Sequence, residues 1–198
     1  MYKSLIFFLL LSLSAVLISC HTDQSPKPAG YPRIHFPTDT GHYVYQPQDC
    51  PYTFELPDYM RVEKKEKFFE EDVSGNCWFN LICDTLNATI YLSYKELDQR
   101  MSLLNLMEDA YRLTYKHTNK ADYIQPRELD NGHGGVGLIY YVGGDAASNI
   151  QFFITDTTQH FVRGALYFYA HPNADSLQPV IRFMVDDIDR MLDSWRWQ

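Results

Sequence analysis

The chain has 198 residues, 15% of them aromatic, and carries 17 Lys and Arg against 25 Asp and Glu for a formal charge of −8. That scattered acidity argues against nucleic-acid binding and against adhesion to anionic lipid by charge alone. About 150 residues follow the N-terminal segments, which suffices for one domain with a sizeable core.

At the N-terminus Lys3 provides a short positive region, and Leu5 to Ile18 is apolar except for serines. This run is too short and too near the start for a spanning helix, so residues 1–19 read as a signal peptide. It ends in Leu17-Ile18-Ser19-Cys20, which has the form of a lipobox. The Cys20 sulfur is expected to take a diacylglycerol, and cleavage frees its amine for a further chain. Each buried CH₂ adds about 0.8 kcal/mol, so two or three acyl chains anchor firmly. Cleavage removes only Lys3 among the charges, leaving 16 cationic and 25 anionic side chains and a formal charge of −9. Export also places the remaining cysteines where pairs can oxidise. Residues 20–48, with Pro26, Pro28, Pro32, Pro37 and Pro47, read as lipid anchor and extended tether. Residues 49–198 are then the single domain.

Within it, Tyr52 to Leu56 alternates and stops at Pro57, and Met60 to Lys65 can lie beside it. Glu63 to Glu71 mixes both charges and reads as solvated surface. Cys77 to Cys83 and Asn87 to Lys95 are strands; in the second, Ala88, Ile90, Leu92 and Tyr94 share a face. Leu97 to His117 changes to helical period, with Leu103, Leu104, Met107, Tyr111 and Thr114 as its apolar stripe. Asp122 to Leu129 returns to the sheet. Gly135–Val142, Asn149–Thr155 and Phe161–Tyr169 follow as a meander, turned by Gly143-Gly144-Asp145 and Thr157-Thr158-Gln159. A final helix opens with Asp175 and Gln178 at capping-box spacing and Pro179 in its first turn. Its stripe is Leu177, Val180, Ile181, Met184, Ile188, Met191, Leu192 and Trp195, and its polar face is Asp186, Asp187, Asp189, Arg190 and Asp193. The class is α+β, one domain with an antiparallel sheet and two main helices.

Residue patterns that carry chemistry are sparse in the chain. On a continuous strand Cys77 and Cys83 stand roughly 20 Å apart, whereas a disulfide needs Cα atoms within about 7 Å. Cys50 is left to pair with one of them or with neither. The seven histidines are dispersed, with no metal-ligand spacing, and no metal or cofactor is expected. Asn131-Gly132-His133-Gly134-Gly135 has an esterase-like look, but no Gly-x-Ser-x-Gly elbow accompanies it. Asp186 and Asp187 fall on a solvated helix face. No catalytic residue is assigned. Exposed polar groups near turns (His117, Lys120, Asp122, His160 and Arg163) are the candidate partner contacts. Asp84-Thr85-Leu86, Asp156-Thr157-Thr158 and Asp175-Ser176-Leu177 match a short O-glycosylation pattern of some bacteria.

Longer blocks carry a family resemblance. They are Pro26 to Arg33, Cys50 to Phe54, Cys77 to Asn80, Asn87 to Lys95, Asp109-Ala110, His117, and Lys120 to Asp122. Gln151 to Asp156, Phe161 to Phe168, Pro172-Asn173 and Asp175 to Leu177 complete the set. In these the chain resembles the GldD-type gliding motility lipoproteins over nearly all of its mature length. The resemblance implies a non-catalytic envelope lipoprotein, held on the membrane by acyl chains at Cys20. It implies partners among the motility and associated secretion proteins. It supports pairing of Cys50 with Cys77, which leaves Cys83 as a buried thiol. The order of elements also resembles the Mog1/PsbP-type α/β/α sandwich, an analogy of fold that carries no function. His21 to Gln24 lacks the dense acidic run of surface-export signals, so the domain is expected to face the periplasm. The rival reading is a periplasmic module that binds a small ligand or peptide.

Overall fold

A computed structural model describes residues 33–38, 41–65, 67–68, 71–72, 77–170 and 173–198 of the protein. The expected leader, Cys20 and the expected tether as far as residue 32 lie outside these. Residues 33–198 form one compact unit.

Its strands are β1 (His42–Tyr45), β2 (Tyr52–Pro57), β3 (Arg61–Lys64), the two-residue pair β4 (Lys67–Phe68) and β5 (Glu71–Asp72), β6 (Phe79–Cys83) and β7 (Ala88–Glu96). Helix α1 (Leu103–Tyr115) follows, then β8 (Ala121–Asp130), β9 (Val136–Gly144), β10 (Ile150–Thr155), β11 (His160–Phe168), helix α2 (Ala174–Asp193) and β12 (Arg196–Trp197). Seven strands make one antiparallel sheet in the order β3-β6-β7-β11-β10-β9-β8. A smaller sheet has the order β1-β2-β12.

Period-two alternation gives the large sheet two faces. The inner face presents Leu81, Ile90, Leu92, Phe152, Ile154, Val162 and Leu166, packed with α2 through Val180, Met184, Ile188, Met191 and Leu192. Buried Trp195 stacks between Tyr52 and Phe54 with ring centroids 4.8 and 4.9 Å away, so it joins the helix end to β2. The outer face carries a smaller cluster, in which Tyr140, Phe153 and Phe161 receive Leu106 and Ala110 of α1. One helix on each face makes an α/β/α sandwich, so the α+β class and the antiparallel sheet are as the sequence leads one to expect.

Four details depart from the sequence reading. The folded part begins before residue 49: β1 pairs with β2 from His42↔Pro57 to Tyr45↔Phe54, and Ile34 and Phe36 pack on the core. Prolines tolerate an extended edge segment, so their presence does not mark a free tether here. Strand β6 starts at Phe79, which leaves Cys77 outside the strand. On α1 the expected Thr114 is buried and Leu103 and Met107 pack on the sheet cluster, but Leu106 and Ala110 are buried between them, while Leu104 is 73% and Tyr111 50% exposed. A mixed apolar helix offered two overlapping stripes, and the one centred on smaller residues lies against the sheet. Helix α2 is capped by Asn173, whose side chain accepts from Ser176 N at 3.0 Å. Pro179 therefore lies in the second turn, where its missing N–H does remove a helical bond.

The disulfide joins Cys50 to Cys77 with Cα atoms 5.6 Å apart. Cys83 is free and 1% exposed. Asn131 explains the glycine-rich loop. Its carboxamide oxygen accepts from His133 N and Gly135 N, and its Nδ2 donates to the carbonyls of Leu192 and Trp195, each at 3.0 Å. The loop thus caps the end of α2, and Gly132 and Gly134 supply the positive φ values it needs.

Candidate functional site

The five residues singled out from sequence fall in three places. Lys120 and Asp122 are exposed beside the β8–β9 edge. They line an open polar groove of about 490 Å³ with Gly144, Asp145 and Asn173. Ala174 N donates to Asp145 Oδ1 at 2.9 Å, so the hairpin turn already satisfies part of the α2 N-terminus.

His160 stands elsewhere. Its Nδ1 is 2.8 Å from Tyr94 Oη, and its ring stacks on Trp197 at 5.4 Å. Its backbone N–H donates to Asp156 Oδ1, which also accepts from the N–H groups of Thr158 and Gln159. This histidine closes a turn and joins the two sheets. The Asp156-Thr157-Thr158 motif is that turn, with Thr157 at φ +68°.

His117 and Arg163 do come together. Arg163 leaves the outer face of β11, opposite Ser93 of β7 and Phe153 of β10. Its guanidinium donates to the side-chain oxygen of Gln151. Gln151 is 1% exposed, and its amide nitrogen has no partner. Thr114 Oγ1 donates to the Ala110 carbonyl at 2.9 Å and lies 3.3 Å from the same Gln151 oxygen. Burial holds the Arg163 pKa below that of a free guanidinium, with only Tyr167 acting the other way. No carboxylate of the described residues pairs with it. His117 follows α1, and its pKa is lowered by burial and then by the charge of Arg163.

A second cluster escaped the sequence reading. Asp187 is nearly buried, accepts a hydrogen bond from Tyr59 Oη, and lies 4.0 Å from His42 Nε2. Burial raises its pKa, against the opposing Tyr59 bond and His42. Helical period placed Asp187 on a solvated face. Its position beside Ile188 on the border of the apolar stripe was the available signal. Its neighbours act as clips: Arg190 reaches Glu55 at 2.9 Å, and Arg127 reaches Asp189. Burial also pushes the Cys83 thiol pKa up, which keeps it protonated and a poor nucleophile. Among the described residues no group of three His, Cys, Asp or Glu could hold a metal ion. None of their helices is long and apolar enough to cross a membrane.

Comparison with known proteins completes the picture. No curated protein matches the chain. Among solved structures, the solution structure of cyanobacterial PsbP (CyanoP) from Synechocystis sp. PCC 6803 is similar at 13% identity and a TM-score of 0.47, covering 80% of this chain and 94% of that one. The profile of the family described as gliding motility lipoprotein GldD matches residues 21–197, and the chain belongs to that family.

Proposed function

We propose that the protein is a lipid-anchored, non-catalytic accessory subunit of the gliding motility apparatus and its associated protein secretion, with its domain in the periplasm. Family membership supports a role in motility. The observation that carries the docking part of the reading is the outer sheet face. Helix α1 packs there on Tyr140, Phe153 and Phe161, toward β9–β11. The half toward β7 presents Tyr91, Ser93, Arg163 and Tyr167, all partly exposed among the described residues. Tyr91 packs edge-on against Tyr167 at 5.6 Å, and its hydroxyl meets that of Tyr169 at 2.5 Å. Tyrosine and arginine are the residues enriched at protein interfaces.

Cys20 confines this surface to the membrane, and loss of the acyl chains is expected to release the domain. A Cys20→Ser chain should appear in the soluble fraction and fail to restore movement to a null strain. Crosslinking in cells, read by mass spectrometry, should join the wild-type chain to envelope proteins. A monomer with no neighbours at native abundance refutes the reading. The ligand-binding alternative has a partly apolar groove, about 410 Å³, between α2 and the β8–β9 edge, lined by Tyr123, Tyr141, Ile181 and Val185. It opens to solvent rather than enclosing a ligand, so docking is the better reading.

A further inference from the structure

A cation that a fold buries without a counter-charge is costly, because desolvation is uncompensated. Arg163, half-buried beside the fully buried Gln151, bears part of that cost. Among the described residues only one of its nitrogens meets an acceptor, the neutral oxygen of Gln151, and no carboxylate faces it. Gln151 is locked in orientation by that bond, and Thr114 packs against it from α1. The Arg163 head is therefore pre-positioned rather than free to sweep the surface. His117 and Tyr167 flank it within charge range, and both can donate hydrogen bonds. The setting is donor-rich, rigid and cationic.

We propose, resting on the docking reading above, that Arg163 anchors a carboxylate presented by a partner protein, held through the open edge of its guanidinium beside His117. The planar fork of arginine matches a carboxylate with two parallel N–H donors. A protein source fits better than a phosphate or an anionic membrane. Those call for clusters of about four or more cations, whereas here Arg163 and Lys65, whose Nζ lies 5.6 Å from the centroid of the Tyr91 ring, stand in an acidic chain beside Tyr91, Tyr167 and Tyr169.

The test uses the full-length lipidated protein in native membranes. Arg163→Lys puts an amine where the guanidinium was, and a carbodiimide couples amines to carboxylates in direct contact. Mass spectrometry should find position 163 joined to an Asp, Glu or C-terminal carboxylate of another protein. Coupling to Glu66, Glu70 or Glu71 of its own chain overturns the proposal, since the counter-ion is then internal. No coupling at 163, while Lys95 or Lys120 couples to neighbouring proteins, overturns it and leaves the accessory-subunit reading standing. No coupling of any lysine to another protein removes both. Should Arg163→Lys misfold, phenylglyoxal labelling of the wild-type chain decides the matter. Arg163 must be protected in intact membranes and become reactive once partners are stripped by detergent; equal labelling in both states refutes the proposal. For the partner so identified, Arg163→Gln should weaken association about 30-fold or more. It should leave the thermal midpoint of the isolated protein unchanged or higher.

Discussion

Reduction of the Cys50–Cys77 bond offers the clearest quantitative check on how this domain is held. The two cysteines are 27 residues apart, and both are at least 94% buried. Closing a loop of that length removes denatured-chain entropy equivalent to about 3.5 kcal/mol. For a domain of this size each kcal/mol moves the midpoint by about 2–4 °C, so reduction should lower Tm by roughly 10 °C. A second effect adds to it. The Cys77 carbonyl accepts from buried Tyr52 Oη at 2.9 Å, and Tyr52 stacks on Trp195. Loosening of the 77 end therefore reaches the aromatic core. The assay is thermal denaturation of a soluble Cys20→Ser chain, compared oxidised, reduced, and as a Cys50→Ala/Cys77→Ala double variant. Reduced and double-variant chains should melt together, well below the oxidised one. A reduction shift under about 2 °C would falsify the view that the bond constrains the unfolded chain.

Asp187 should govern part of the acid stability. Its carboxyl pKa is raised in the fold, so wild-type stability falls as pH climbs from the unfolded value through the folded one. Asp187→Asn keeps an acceptor for Tyr59 and removes that loss. Its stability relative to wild type should increase as pH rises above about 4 in urea titrations, and a flat difference contradicts the assignment. His117 should titrate at higher pH in Arg163→Gln, because one of the two causes of its lowered value is gone; an unmoved imidazole resonance in NMR would separate the two residues. In wild type that lowered value makes stability decline as pH falls through about 6.5, and the variant should decline less. Gly164 is set by packing: a Cβ there would lie 2.0 Å from Phe152 Cζ. Gly164→Ala should cost about 1–3 kcal/mol in chemical denaturation, and a neutral result would show that Phe152 swings aside freely.

What could be read from sequence follows from how strongly local pattern constrains structure. The meander of β9, β10 and β11 and the long stripe of α2 were legible because alternation and helical period are dense there. Helix α1 was legible as a helix but not in its rotation. Leu103 and Leu104 are adjacent, and only the shape of Tyr140 and Phe153 beneath it selects Leu106 and Ala110 as the buried pair. Strand β1 carries Tyr43 and Val44 outward, 41% and 65% exposed, so it lacked the apolar run that marks a strand. Of the candidate contacts, proximity in sequence joined Lys120 to Asp122. The pairing of His117 with Arg163 required the sheet to bring residues 46 positions apart together. Asp187 was misread because period assigns a face, whereas burial at a face border depends on what neighbouring segments bring, here His42 of β1 and Tyr59 of the β2–β3 turn.

The placement of the disulfide has a mechanical meaning for a domain held at one end. Tension arriving along the chain at residue 33 would first strip the Ile34 and Phe36 contacts and then peel β1 from β2, a ladder opened one rung at a time. At Cys50 the peeling stops. The load passes through sulfur to Cys77 and so directly to the root of β6, bypassing residues 51–76. A pull from the N-terminal side thus enters the seven-stranded sheet at β6, whose ladder with β7 takes the load, while β2 to β5 are spared. A lipoprotein domain pulled from that side would in this way yield by a short, fixed length at its edge before the load reaches the sheet.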